Sequence, residues 1–385
     1  MILKLGDVAE ICSGITLGRK VREGGLRGIP YLRVANVKDG RLDLRDVSRI
    51  EATETEIAKL LLRPGDLLLT EGGDPDKLGR GTFWQGELAE CIHQNHIFRV
   101  RFDLSAFDPG FLAYQFGSDY GKAYFLKHAK QTTGIATINQ QVLRNFPLIA
   151  PPLPEQQRIA AHLKAQLAEV EAAQNAAMAQ LEATSQLEET LIRESLEANA
   201  TAIFPLAEVT REVKQGVGAG WASYPVLGAT REGAALAREP VGKSPQRYKP
   251  VLPGTVFYNP MRINIGSIAL VDEGDAPGIT SPDYVALTGT EGKLHYRWFY
   301  HWLRSGYGES FIKSLARGAV RERMLYNRLA EGDISLPSWA VQVATANQLA
   351  ELRPLKSRIS EQLQTIHGLP QRLLAETYAG LQNDQ

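Results

Sequence analysis

The sequence predicts an α+β protein: two similar domains of mixed sheet and helix, at residues 1–153 and 201–337, joined by two long antiparallel coiled-coil helices at 154–200 and 338–385. Three observations predict it. At 385 residues the chain exceeds what one ordinary core organises. The order of turn, strand and helix signals from Met1 to Pro154 recurs from Phe204 to Pro337. Each copy is then followed by apolar residues at three-four spacing, sustained over many turns.

The first copy opens on Leu5-Gly6-Asp7-Val8 and the second on Leu206-Ala207-Glu208-Val209. Arg63-Pro64-Gly65-Asp66 leads into the apolar run Leu67 to Leu69, as Leu252-Pro253-Gly254 leads into Thr255 to Tyr258, and both are turn-then-strand signals. Phe111 to Phe125 and Tyr296 to Ile312 carry aromatic and aliphatic residues at helical spacing, each with a Ser-Gly interruption. Thr133-Gly134 then answers Arg317-Gly318, and Phe146-Pro147-Leu148 and Ile334-Ser335-Leu336-Pro337 close the copies. The offsets, 189 residues from Pro64 to Pro253 and 184 from Gly134 to Gly318, fit diverged copies with altered loops. A duplicated unit implies two similar sites that different loops can adapt to different targets.

After Pro151-Pro152-Leu153-Pro154, a stripe of Ala160, Leu163, Leu167, Val170, Ala177, Leu181, Thr184 and Leu191 predicts a helix running towards Ala198, with Gln174 and Glu188 as imperfections in its seam. Ser338 is a good N-cap for the second helix, which carries Leu349, Leu352, Leu355, Ile359, Leu363, Ile366 and Leu373. Pro354 and Gly368-Leu369-Pro370 are expected to kink or break it. Such a stripe alone is more often ordinary core, but two of similar length after two similar units predict mutual pairing.

The composition, 44% hydrophobic and 22% charged, is that of a globular chain. Met1 to Ile11 alternates apolar and charged residues, so the expectation is a cytoplasmic protein with no membrane span. Cys12 and Cys91, the only cysteines, are too few for a disulfide framework or a thiolate metal site. The 43 basic residues balance 43 acidic ones, but unevenly along the chain. Between Arg297 and Arg328 lie seven basic residues (Arg297, Arg304, Lys313, Arg317, Arg321, Arg323, Arg328) against Glu309 and Glu322, whereas Glu155 to Asn199 holds eight acids and three bases. A neutral total therefore allows a basic surface beside acidic helices, and affinity for phosphate follows the local surface.

Leu153-Pro154-Glu155-Gln156-Gln157-Arg158-Ile159-Ala160, placed where a globular unit meets a long helix, resembles the hallmark of the DNA specificity subunits of type I restriction-modification systems. The resemblance continues through Thr70-Glu71-Gly72-Gly73-Asp74, Lys77-Leu78-Gly79-Arg80-Gly81, His93-Gln94-Asn95-His96, Tyr258-Asn259-Pro260-Met261-Arg262, Ser281-Pro282-Asp283-Tyr284-Val285 and the tail Leu369 to Gly380. At the second junction Pro337-Ser338-Trp339 replaces the signature. The resemblance implies two target recognition domains, each reading half of a split sequence in double-stranded DNA. It also implies paired helices that bind two modification subunits through a surface including Pro154, Glu155, Gln156, Gln157 and Arg158. Restriction or motor subunits complete the assembly. It implies no catalytic centre and no cofactor in this chain: S-adenosylmethionine, ATP and Mg²⁺ belong to the partner subunits, of which the modification subunits methylate adenine.

Candidate DNA contacts follow. Lys77 and Arg80 lie in a Gly-rich loop between predicted strands and suit phosphate, although such a loop is ordinarily just solvated. His93, Gln94, Asn95 and His96 offer donors and acceptors for base edges, and equally suit a buried polar network beside the strand Ile97 to Phe102. Asn259, Arg262 and Asn264 follow a predicted strand, and Arg317, Arg321 and Arg323 surround Gly318; arginine forks onto guanine or phosphate. Two enzyme readings compete weakly. Asp283 with Glu291-x-Lys293 mimics a metal-dependent nuclease but sits in an awkwardly short segment. Asn259-Pro260-Met261 only approaches a methyltransferase amide motif. A coiled-coil scaffold without DNA readout would explain the helices and leave the loop-rich repeats unexplained.

Overall fold

The computed structural model describes residues 1–19, 25–73, 78–132, 135–199, 201–238, 240–316 and 323–383. The chain divides into two compact units, one of residues 1–175 with 363–385 and the other of residues 176–362.

In the first unit an antiparallel sheet has the order Ala9–Ser13, Ile97–Phe102, Leu67–Thr70, Gly81–Phe83. Both faces are covered, which is why Ile97–Phe102 and Leu67–Thr70 are nearly continuous apolar runs. Phe98, Val100, Leu67 and Leu69 point into the main core with Phe111, Phe116, Phe125 and Phe146. Ile97 and Leu68 point the other way, onto Leu32, Val37 and Trp84. Asp108 caps the helix Pro109–Gly117 by accepting from the Phe111 backbone N–H at 2.8 Å, with proline at the first helical turn. That helix breaks at Ser118 before Asp119–His128 starts. Ile2–Lys4 pairs antiparallel with Pro147–Ile149, and the latter delivers the chain into the first long helix.

The second unit repeats this plan. Its sheet has the order Thr210–Glu212, Val285–Gly289, Thr255–Tyr258, Ile268–Val271, again antiparallel. The helices Tyr296–Arg304 and Gly306–Leu315 break at Ser305, and Thr201–Pro205 pairs with Asp333–Pro337. The predicted turn glycines correspond, Gly65 at φ 93° and Gly254 at φ 91°, where a side chain would be strained. Gly121 and Gly308 correspond as well. A Cβ on the first would lie 2.5 Å from the Phe116 carbonyl oxygen, and on the second 2.3 Å from that of Trp302, so only glycine lets each helix pair turn so tightly.

The long helices are Leu153–Glu197 and Trp339–Asn383, each of 45 residues. In the first unit, Ile159 and Leu163 from the start of one share a core with Leu374 and Tyr378 from the end of the other. In the second unit Ile192 and Leu349 do the reverse. The pairing is therefore antiparallel, and Ala177 and Thr184 of the predicted stripe are buried. Glu188 forms an ion pair with Lys356 at 2.8 Å. The expected break in the second helix is absent: it runs through Pro354 and Gly368-Leu369-Pro370 without interruption. A proline removes one backbone donor, and burial of Leu349, Ile359, Ile366 and Leu374 on the flanking turns offsets that loss. Among the described residues no helix is long and apolar enough to cross a membrane.

Candidate nucleic-acid interface

Three segments meet at one end of the main sheet in the first unit. The hairpin from Thr70 to Gly81 joins two sheet strands, Gln94 to His96 precedes the strand Ile97–Phe102, and Lys130–Thr132 pairs with Ile135–Thr137. Glu71 gathers them: its backbone N–H donates to the His96 carbonyl (2.9 Å), and its own carbonyl accepts from the Ile138 N–H (2.9 Å). Its carboxylate lies 2.6 Å from His96 Nδ1. In the second unit the corresponding hairpin runs from Tyr258 to Ile268, and Ser281 to Tyr284 precedes the strand Val285–Gly289. The Met324 N–H donates to the Pro260 carbonyl (3.0 Å). Pro260 stands where Glu71 stands, and one position back on each strand, at the places of Thr70 and Ile97, Asn259 Nδ2 donates to the Tyr284 hydroxyl at 3.4 Å. Two unlike side-chain pairs thus hold the same two loops together.

The sequence candidates separate on this frame. Lys77, Arg317 and Arg321 lie outside the described residues. Arg80 is half-buried, and its carbonyl accepts from the Thr70 N–H at 2.9 Å, fixing the return of the hairpin. His93 has to be withdrawn from the DNA-contact set: it is completely buried, with Nδ1 2.9 Å from the Ile97 carbonyl. Burial pushes its pKa down to about 4, so the ring is neutral and donates that bond, the buried-network alternative. Gln94 and Asn95 are half-buried, with backbone donors engaged by the Leu32 and Ile15 carbonyls, while His96 is exposed. In the second unit Arg262 and Asn264 are exposed on the hairpin, and the Asn259 Oδ1 accepts from the Met261 N–H (2.9 Å), shaping the loop. Arg323 reaches Asp283 across the loops at 3.3 Å, both side chains being exposed.

The basic stretch from Arg297 to Arg328 is only partly a surface. Arg297 is buried in a fork with Asp272 (2.7–3.1 Å); burial opposes ionising that carboxyl, but the guanidinium beside it holds its pKa below the usual range. Arg304 donates to the Gly266 and Ile268 carbonyls, and Arg328 to that of Leu315. These three arginines hold the fold. The nuclease arrangement does not assemble either. Asp283 and Glu291 flank opposite ends of the strand Val285–Gly289, whose five residues alone span about 17 Å.

At the first helix junction Pro154, Gln157 and Arg158 are exposed, and Glu155 pairs with Arg158 at 2.7 Å. Gln156 has to be withdrawn from the partner-binding set, because it is buried inside its own unit. Its Oε1 accepts from the Asp108 N–H (3.0 Å), and its Nε2 donates to the Ala106 (3.1 Å) and Pro151 (2.8 Å) carbonyls. The second junction, where the signature is missing, holds the same device. Gln342 Oε1 accepts from the His295 N–H, and Nε2 donates to the Lys293 and Pro337 carbonyls, each at 2.9 Å. Nothing in the local sequence marks Gln342, which laying the copies on one another at an offset of 186 residues places on Gln156, whereas Glu71 and Tyr284 lie in motifs that the resemblance picks out without giving them a contact.

A duplicated sheet with loop-borne polar residues, each copy packed against both long helices, is a fold that solved structures share. The Thermoanaerobacter tengcongensis HsdS subunit shares this fold, at TM-score 0.51 and 17% identity over 97% of this chain and 95% of that one. A chain from a structure of complex assembly and conformational transition in the type I R-M system shares it at TM-score 0.64, also at 17% identity, covering 97% of this chain and 96% of that one. In sequence, residues 1–182 match the family model described as the type I restriction modification DNA specificity domain. The putative type I restriction enzyme MjaX specificity subunit of Methanocaldococcus jannaschii is 26% identical over 161 residues, 41% of this chain and 37% of that protein. The EcoKI specificity subunit of Escherichia coli is 29% identical over 149 residues, 37% and 31% respectively. The chain thus matches about a third of the length of these curated relatives.

Proposed function

We propose that this chain is the sequence-reading subunit of a type I restriction-modification complex and has no catalytic role of its own. It reads a bipartite target in double-stranded DNA, one half-site with each recognition domain. Its paired helices scaffold two modification subunits, which methylate adenine with S-adenosylmethionine, and restriction subunits that use ATP and Mg²⁺. A DNA substrate would place it in the cytoplasm. One observation carries the reading: in both units the hairpin and the loop before the central strand meet at the same end of the same sheet, bearing Arg80 and His96 in one and Arg262 and Asn264, with Arg323 reaching Asp283, in the other. Equal scaffolds with unequal loops are what two different half-sites require.

The test is DNA binding by the assembled complex across a salt series. One split sequence should be bound about 10³-fold or more tighter than random DNA, with affinity falling as salt rises. Equal affinity for all sequences would reject readout and leave a scaffold. Methyl transfer or cleavage by the isolated chain would reject the non-catalytic role.

A further inference from the structure

Beside the second-unit hairpin lies a cavity of about 350 Å³. Its apolar lining is the buried Ile263, Ile268, Leu303 and Ile312 together with the exposed Ile265. Its charged lining is Arg231, Arg304 and Lys313 against the single carboxylate Glu309. Arg304 is fixed there by carbonyl oxygens alone: Nη1 donates to Gly266 (3.3 Å) and Ile268 (3.1 Å), and Nη2 to Arg231. Arg231 Nε donates to the Ile265 carbonyl at 2.9 Å. Carbonyls satisfy hydrogen bonds but carry no net charge. Among the described residues neither guanidinium has a carboxylate partner, and Glu309 faces only Lys313, at 3.3 Å. The cavity therefore holds a fixed, uncompensated positive charge. Most of the Arg304 fork is committed to the chain, so it serves as a charge rather than as a fork for a base.

We infer that this cavity is an anion seat for one phosphodiester of the DNA backbone next to the bases that the second unit reads. The inference rests on the function proposed above. Asn264 lines the cavity and is exposed on the hairpin, so a duplex touched by Asn264 brings its backbone within reach. Among the described residues the first unit lacks the central charge of this seat. In the first unit Gly117 occupies the position of Arg304, at the end of the equivalent helix. The second unit thus has at Arg304 a positioning charge whose place in the first unit is held by a glycine.

The test uses the assembled complex with Lys313→Gln, and with Arg231→Gln and Lys313→Gln together. Among the described residues Lys313 pairs only with exposed Glu309, so its replacement leaves the fold undisturbed. The slope of log affinity against log salt should flatten by about 0.9 for each phosphate that is no longer neutralised, with the affinity deficit largest at low salt and the recognised bases unchanged. Specific binding with an unchanged slope would overturn the seat, and so would an altered base preference. A wild-type complex that binds all sequences equally would overturn the function proposed above and the seat with it.

Discussion

The two units keep one framework and fasten it differently. Gln156 and Gln342 make the same three hydrogen bonds at the start of each long helix, and the Ser118 and Ser305 hydroxyls each donate to a carbonyl three residues back, those of Gln115 and Trp302. Beyond these, the first unit contains a buried neutral His93 beside its reading loops. The second contains the Asp272–Arg297 pair, with Arg353 of the long helix 2.6 Å from Asp275. What is shared places loops at one end of a sheet. What differs either decorates those loops or locks one copy separately, so the copies can diverge in target without diverging in fold.

The comparison breaks most visibly at the feature found in one unit only. Asp272→Ala leaves Arg297 buried without its carboxylate and should destabilise by about 3–5 kcal/mol. Hydrogen exchange should show the loss in residues 176–362 and little change in 1–153. The shared feature should behave oppositely. Gln156→Leu and Gln342→Leu each unpair three backbone groups, some within reach of water, and should cost about 2–3 kcal/mol apiece in urea unfolding. Unequal costs would mean that the two junctions are not the same device. A smaller effect is expected from acid. His93 in the fold has a pKa of about 4, below its ordinary 6.5, so the unfolded chain takes up the proton first as pH falls. Stability present above pH 6.5 is lost between 6.5 and about 4, by about 2 kcal/mol on going from pH 7 to 5. The first unit should lose protection from exchange in that window.

Much of the framework was legible because it is periodic or repeated. The Pro-Gly turns, the Ser interruptions and the helix beginning after Ser338 all follow from local chemistry, and Ser338 Oγ does accept from the Val341 N–H, at 3.4 Å. The site was less legible because residue type does not reveal direction. Gln156 sits in a surface-looking signature and points inward; His93 belongs to a polar quartet of which only His96 is exposed. Arg297 and Arg328 count as basic surface in a sequence tally, yet an aspartate and a carbonyl oxygen hold them in the fold. Pro354 carries a strong local signal that burial of the neighbouring turns overrides.

The central claim, one reader per half-site, is tested most directly by mapping methylated adenines genome-wide in cells expressing the complete system, with Arg80→Ala or with Arg262→Ala and Asn264→Ala together. Removing a side chain that touches a base should relax one position by about 1–3 kcal/mol. The account predicts that Arg80→Ala affects only one half of the recognised sequence and that the hairpin pair affects only the other. Changes by both variants in the same half-site would contradict it.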